Sequence, residues 1–129
     1  MQHEQRNSLL AVFAENSSVL TVWLIGSHET VLQHTDSDID FAVLFERDTT
    51  LKQRLLFEIE VCEILHTDNV DVVNLNEAPI LFASRTLDEG RLLFERNREQ
   101  TSDFIEYVLT YYYDEKLRAA RYFKDYRAA

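Results

Sequence analysis

Apolar residues in this chain fall into two kinds of pattern, and the difference separates strands from helices. Val19–Ile25 is a nearly continuous apolar run rich in β-branched side chains, which predicts a buried strand. Residues 38–46 predict a second. There Ile39, Phe41, Val43 and Phe45 fall on one face and Ala42 and Leu44 on the other, so both faces should be covered. Residues 70–75 read as a third strand, and Arg91–Glu95 as a short one after a turn at Gly90. Elsewhere the apolar positions recur at three- and four-residue steps. Residues 3–16 carry Leu9, Leu10, Val12 and Phe13 on one side. A helix capped by Asp48 is expected to bury Leu51, Leu55, Ile59, Cys62 and Leu65. Pro79 suits the first turn of a short helix. Residues 101–126 form a last helix, with Phe104, Ile105, Val108, Leu109, Tyr112 and Leu117 as its expected buried stripe. Residues 28–35 are polar and read as a loop or a short helix. No repeat or linker interrupts the chain, so residues 1–129 are expected to form one α/β domain, a small sheet with helices packed on it.

Charge narrows the partners. Acidic residues outnumber basic ones 23 to 13, for a net charge of −10. A protein that grips a nucleic-acid backbone usually shows a basic face, so stable nucleic-acid binding is not expected. A basic protein or a cationic small molecule suits this surface better. The first seven residues lack the apolar core of a signal peptide, and no apolar stretch approaches the roughly 20 residues that span a bilayer. A single cysteine excludes an internal disulfide. A cytoplasmic protein with no membrane partner is the expectation.

Several chemistries are excluded by residue count. Gly26 and Gly90 are the only glycines. The Walker A loop and the dinucleotide fingerprint each need at least two close together. The G-x-S-x-G elbow is absent. Cys62 alone builds no zinc site, and His3, His28, His34 and His66 show no metal-type spacing.

What remains is a constellation of carboxylates beside a small turn. Gly26-Ser27 follows one apolar run. Ten residues later comes Asp38-Ile39-Asp40, which opens another. Side chains alternate along a strand, so Asp38 and Asp40 share a face. Two neighbouring carboxylates repel each other, whereas Mg²⁺ rewards them, because it takes hard oxygen ligands together with phosphate oxygens. A Gly-Ser turn lets a triphosphate approach the backbone. Asp71 interrupts the third strand, where a charge is costly unless paired or metal-bound. With Asp38 and Asp40 it would complete an oxygen cage for two cations about 4 Å apart, suited to nucleotidyl displacement. Each residue also has an ordinary reading taken singly: a common turn, strand-edge charges, and an Asp71 paired with Arg85 or Arg91. It is their conjunction that points to a metal-nucleotide site.

These residues resemble the signature of the DNA polymerase β-like nucleotidyltransferase superfamily. The short length and residues 35–43 are similar to the minimal nucleotidyltransferase (MNT) antitoxins of HEPN/MNT toxin–antitoxin pairs. The strand around Asp71 and the stretch from Leu87 into a tyrosine-bearing helix are similar to them as well. The chain departs from that pattern in carrying His28-Glu29 where members often have an arginine after the Gly-Ser pair. The resemblance implies a small mixed sheet flanked by helices, Mg²⁺ as cofactor and ATP as substrate. It implies that Asp38 and Asp40 hold both metals, that Gly26 and Ser27 contact the β- and γ-phosphates, and that Asp71 ligates the metal at the acceptor and helps deprotonate it. It further implies AMP transfer to a tyrosine of a HEPN ribonuclease toxin. The alternatives are an antitoxin that neutralises its partner by binding alone, and an antibiotic nucleotidyltransferase. Tyr107, Tyr111, Tyr113, Tyr122 and Tyr126 exceed what a core stripe needs, and part of this helix is expected to meet the partner.

Overall fold

The computed structural model describes residues 3–25 and 39–128. Its elements run α1 (His3–Glu15), β1 (Val19–Ile25), β2 (Ile39–Phe45), α2 (Leu51–Leu65), β3 (Val70–Asn74), α3 (Ile80–Glu89), β4 (Arg91–Glu95) and α4 (Arg98–Ala128). The four strands form one mixed sheet in the order β3-β2-β1-β4. β1 runs antiparallel to both β2 and β4, and β2 runs parallel to β3. The parallel pair needs a crossover, and α2 supplies it.

Alternation along β1 and β2 divides the core into two layers. Val22, Leu24, Ile39, Phe41, Val43 and Phe45 face α1 and α2, where Leu9, Phe13, Phe57 and Val61 meet them. Leu20, Trp23, Ala42 and Leu44 face the other way, toward Ala83 of α3 and Val108 of α4. The two faces of β2, Ile39–Phe45, are therefore both covered, as the pattern of its apolar residues predicts. Phe13 is a hub of the first layer, with ring centroids 5.7 Å from Phe57, 6.0 Å from Phe94 and 6.3 Å from Phe41.

Side chains close the ends of the sheet. Asn76 accepts from the Phe45 amide through Oδ1 at 2.9 Å and donates from Nδ2 to the Phe45 carbonyl at 2.8 Å. Its amide thus continues the β2–β3 ladder beyond the last residue of β3. The Thr21 and Thr101 hydroxyls, both buried, meet at 2.9 Å and tie β1 to α4. The Arg96 guanidinium donates to four carbonyls: Val19 from Nε at 2.8 Å, and Phe13, Ala14 and Asn16 from Nη2 at 2.9, 3.0 and 3.0 Å. A cation at the carbonyl end of α1 satisfies groups the helix leaves open and complements its dipole.

Four expectations change. α2 is capped by Thr50 and not Asp48. The Thr50 Oγ accepts from the Gln53 amide, and Gln53 Oε1 accepts from the Thr50 amide. The face of α2 that packs on the sheet is Phe57 and Val61, with Ile64 and Leu65 beside them. Leu51, Leu55 and Ile59, expected in the core, are 60%, 49% and 52% exposed. The last helix spans Arg98–Ala128, longer than 101–126. Its buried contacts stop early: Val108 is buried and Phe104, Ile105 and Tyr112 are half-buried, while Leu109 and Leu117 are exposed.

Candidate functional site

The register of the sheet brings two of the expected carboxylates together. Asp40 of β2 pairs directly with Asp71 of β3. Adjacent strands lie roughly 4.8 Å apart, and residues paired in register project from the same face. Asp40 is half-buried and Asp71 exposed. On its other side Asp40 pairs with Ile25, the last residue of β1. The next residues in sequence are Gly26 and Ser27. These two, together with His28 and Asp38, lie outside the described residues.

The sequence argument about Asp71 needs a correction. β3 is an edge strand, and water reaches the Asp71 side chain. Its charge is therefore solvated and does not by itself demand a cation. What singles Asp71 out is its place opposite Asp40. Arg85, one of the two bases considered as its partner, instead pairs with Glu89 one turn further along α3, at 3.0 Å.

The negative potential extends across the edge of the sheet. Burial pushes the Glu58 carboxyl of α2 above its usual range, and the charge of Asp71 pushes it further. Among the described residues no group of three His, Cys, Asp or Glu side chains converges as a metal cage. Asp40 and Asp71 nonetheless fit part of a Mg²⁺ site, since that ion commonly takes one or two carboxylates and completes its shell with water and phosphate oxygens. Glu58 escaped the sequence reading because nothing in a helical glutamate announces a neighbouring strand edge.

Four of the five tyrosines singled out in the last helix lie open to solvent. Tyr107, Tyr111, Tyr113 and Tyr122 are exposed on α4, and the rings of Tyr107 and Tyr111 lie 4.7 Å apart. The side chain of Tyr126 lies outside the described residues. Among the described residues no helix is long and apolar enough to cross a membrane.

Solved structures share this fold across nearly the whole chain. A chain of the tri-AMPylated Shewanella oneidensis HEPN toxin in complex with MNT antitoxin matches with a TM-score of 0.71 at 21% identity, covering 97% of this chain and 98% of that one. A toxin–antitoxin complex with AMP-PNP matches with a TM-score of 0.73 at 21% identity, covering 93% of this chain and 96% of the other. The toxin–antitoxin MntA-HepT matches with a TM-score of 0.70 at 20% identity, over 96% and 97% of the two chains. No curated protein matches this sequence. The sequence profile described as Polymerase beta, Nucleotidyltransferase matches residues 7–99, which hold both paired carboxylates and all four strands. By that match over most of its length, the chain belongs to the polymerase beta nucleotidyltransferase family.

Proposed function

We propose that this protein is a Mg²⁺-dependent adenylyltransferase that moves AMP from ATP to a tyrosine of a HEPN-type toxin and acts as its antitoxin. The observation that carries the reading is the register that sets Asp40 against Asp71 inside a nucleotidyltransferase domain. Support for the donor and acceptor comes from the structural neighbours, one a complex with AMP-PNP and one containing an AMPylated HEPN toxin.

In this reading Asp38, Asp40 and Asp71 would hold Mg²⁺, which when bound would supply positive charge against the triphosphate. Gly26 and Ser27 hold the phosphates that leave. A tyrosine hydroxyl titrates near pH 10 and is a weak nucleophile at neutral pH. Asp71, which is exposed at the sheet edge, would receive its proton from a docked partner. The phenolate oxygen bonds to the α-phosphorus, the bond from that phosphorus to the bridging oxygen breaks, and pyrophosphate departs. A partner that brings its own surface explains how a domain this small handles an acceptor. The exposed Tyr107–Tyr111 pair supplies aromatic surface for such docking. ATP as donor and a lone cysteine support a cytoplasmic setting.

The test is the intact mass of a HEPN partner co-expressed with this protein. Wild type should add adenylate groups to the partner. Asp40→Asn, which keeps side-chain shape and removes charge, should abolish them while the complex persists. Additions at the wild-type level would refute the site, and a silenced partner carrying no adenylate would refute the reaction.

A further inference from the structure

Two surfaces on this chain are left uncovered, and their chemistries match. The first is the outer face of α2. Leu51, Leu55 and Ile59 recur at four-residue steps and stand open to solvent. The helix is apolar on both sides, a pattern normally seen where both sides are buried. This face borders an open cleft of about 1030 Å³ that runs to the start of β3, lined by Leu55, Ile59 and Cys62 with Glu58, Glu63 and Asp68 around them. The cleft is therefore an apolar trough with an acidic rim.

The second is the far half of α4. Each described side chain from Tyr113 to Lys124 is exposed, so the helix has left the body of the domain. The fifteen residues after Tyr113 extend for roughly 22 Å. A helix of that length is marginal in water without tertiary support. Its Tyr113, Leu117 and Ala120 fall on one stripe at helical spacing, and Arg121 and Lys124 lie along the same stripe. Residues 114–124 carry four basic and two acidic side chains, so the rest of the chain holds 9 bases against 21 acids. The tail is thus a cationic amphipathic helix on a strongly anionic domain.

We propose that the tail of α4 docks into the α2 cleft of a second copy of this chain. Leu117 and Ala120 cover Leu55 and Ile59, while Arg121 and Lys124 meet Glu63 and Asp68. Opposite potentials steer the two surfaces together, and the apolar strips supply the burial that each lacks within one copy. Within one chain the first part of α4 packs on the face of the sheet opposite to α2, so the tail that continues from it meets a neighbour's cleft. This contact uses a different stripe of α4 from the Tyr107–Tyr111 pair and does not depend on the proposed reaction.

Sedimentation velocity of the full chain, across concentrations from about 1 to 500 μM and at low and high salt, tests this. Wild type should gain mass above the monomer with rising concentration, less so at high salt. Ile59→Glu, at a half-exposed position, should keep the circular-dichroism spectrum of wild type and stay monomeric. Arg121→Glu with Lys124→Glu should raise the dissociation constant about tenfold or more. Glu63→Lys with Asp68→Lys should weaken self-association likewise, whereas mixing the two variants, or placing all four changes in one chain, should restore pairing, because each tail then meets a cleft of opposite charge. A chain that is monomeric at every concentration overturns the proposal. So does self-association indifferent to Ile59→Glu, or an α2 variant that loses only its toxin partner, which would give this face to that partner.

Discussion

Replacing Arg96 with alanine tests the account of how α1 is fixed to the sheet. The guanidinium serves four carbonyls from three different parts of the chain: Phe13 and Ala14 in the last turn of α1, Asn16 after it, and Val19 at the start of β1. It also lies 5.3 Å from the centroid of the Phe94 ring. A hydrogen bond from a charged donor contributes about 1.5–3 kcal/mol. Four such bonds do not add, because one Nη2 is shared among three acceptors and water reaches the Ala14 and Asn16 carbonyls after truncation. The part-buried carbonyls of Phe13 and Val19 lose most. Counting those two at the low end gives a loss of about 3 kcal/mol, a large share of the 5–15 kcal/mol typical of a domain. For a chain of this size the melting temperature should fall by roughly 10 °C. Arg96→Lys, able to reach only some of the carbonyls, should fall about half as far. Thermal and urea unfolding followed by circular dichroism measure both. Asp40 pairs with Ile25 at the opposite end of β1, so the carboxylate pair should keep its geometry below the transition. An alanine variant melting within about 2 °C of wild type would show that these bonds, although formed, do not hold the layers together.

Gly90→Ala should cost about 1–3 kcal/mol in urea unfolding, because the added Cβ would stand 2.5 Å from the Thr86 carbonyl oxygen, which also accepts the Gly90 amide; an unchanged midpoint would show that the turn yields freely. Glu58→Gln should stabilise the metal-free protein at neutral pH. The folded carboxyl titrates above its ordinary value, so its contribution is fully present below roughly pH 4 and is lost as pH rises through the folded pKa; a difference in urea midpoint that grew toward acid would contradict this sign. Asp71→Asn should cut turnover by about 100-fold or more with a smaller effect on ATP affinity, and a variant that loses affinity but turns over normally at saturation would move Asp71 from proton transfer to binding.

The strands were legible because their pattern leaves little choice. In residues 38–46 large apolar side chains occupy both faces, and only a strand covered on both sides accommodates that. That Asp71 lies on the strand beside Asp40 was legible as well, although it was singled out for the cost of a charge inside a strand, whereas it is exposed and stands opposite Asp40 in register. A single sequence does not announce which strand lies at the edge. The orientation of α2 was not legible: Leu51, Leu55 and Ile59 make as good a stripe as Phe57, Val61 and Ile64, and only the sheet decides between them. The aromatic ring of Phe57 settles it by meeting Phe13 and Phe45. The start of α2 was readable and was missed, since Thr50 and Gln53 stand at capping-box spacing. Arg96 gave no signal at all, because an arginine after a strand looks like any surface cation until the carbonyls of α1 are placed around it.

The position of Asp71 on an edge strand also bears on aggregation. Among the described residues β3 is an edge of the sheet, and Val70, Val72 and Val73 beside Asp71 have the β-branched character that favours strand addition. A charged side chain at the second position of a five-residue edge opposes that addition by any incoming strand, including one from another copy. The carboxylate proposed to serve the acceptor thus also guards the sheet against cross-β growth. A neutral apolar replacement at this position would therefore remove chemistry and expose a sticky edge together, so loss of soluble protein in such a variant has a cause separate from loss of catalysis.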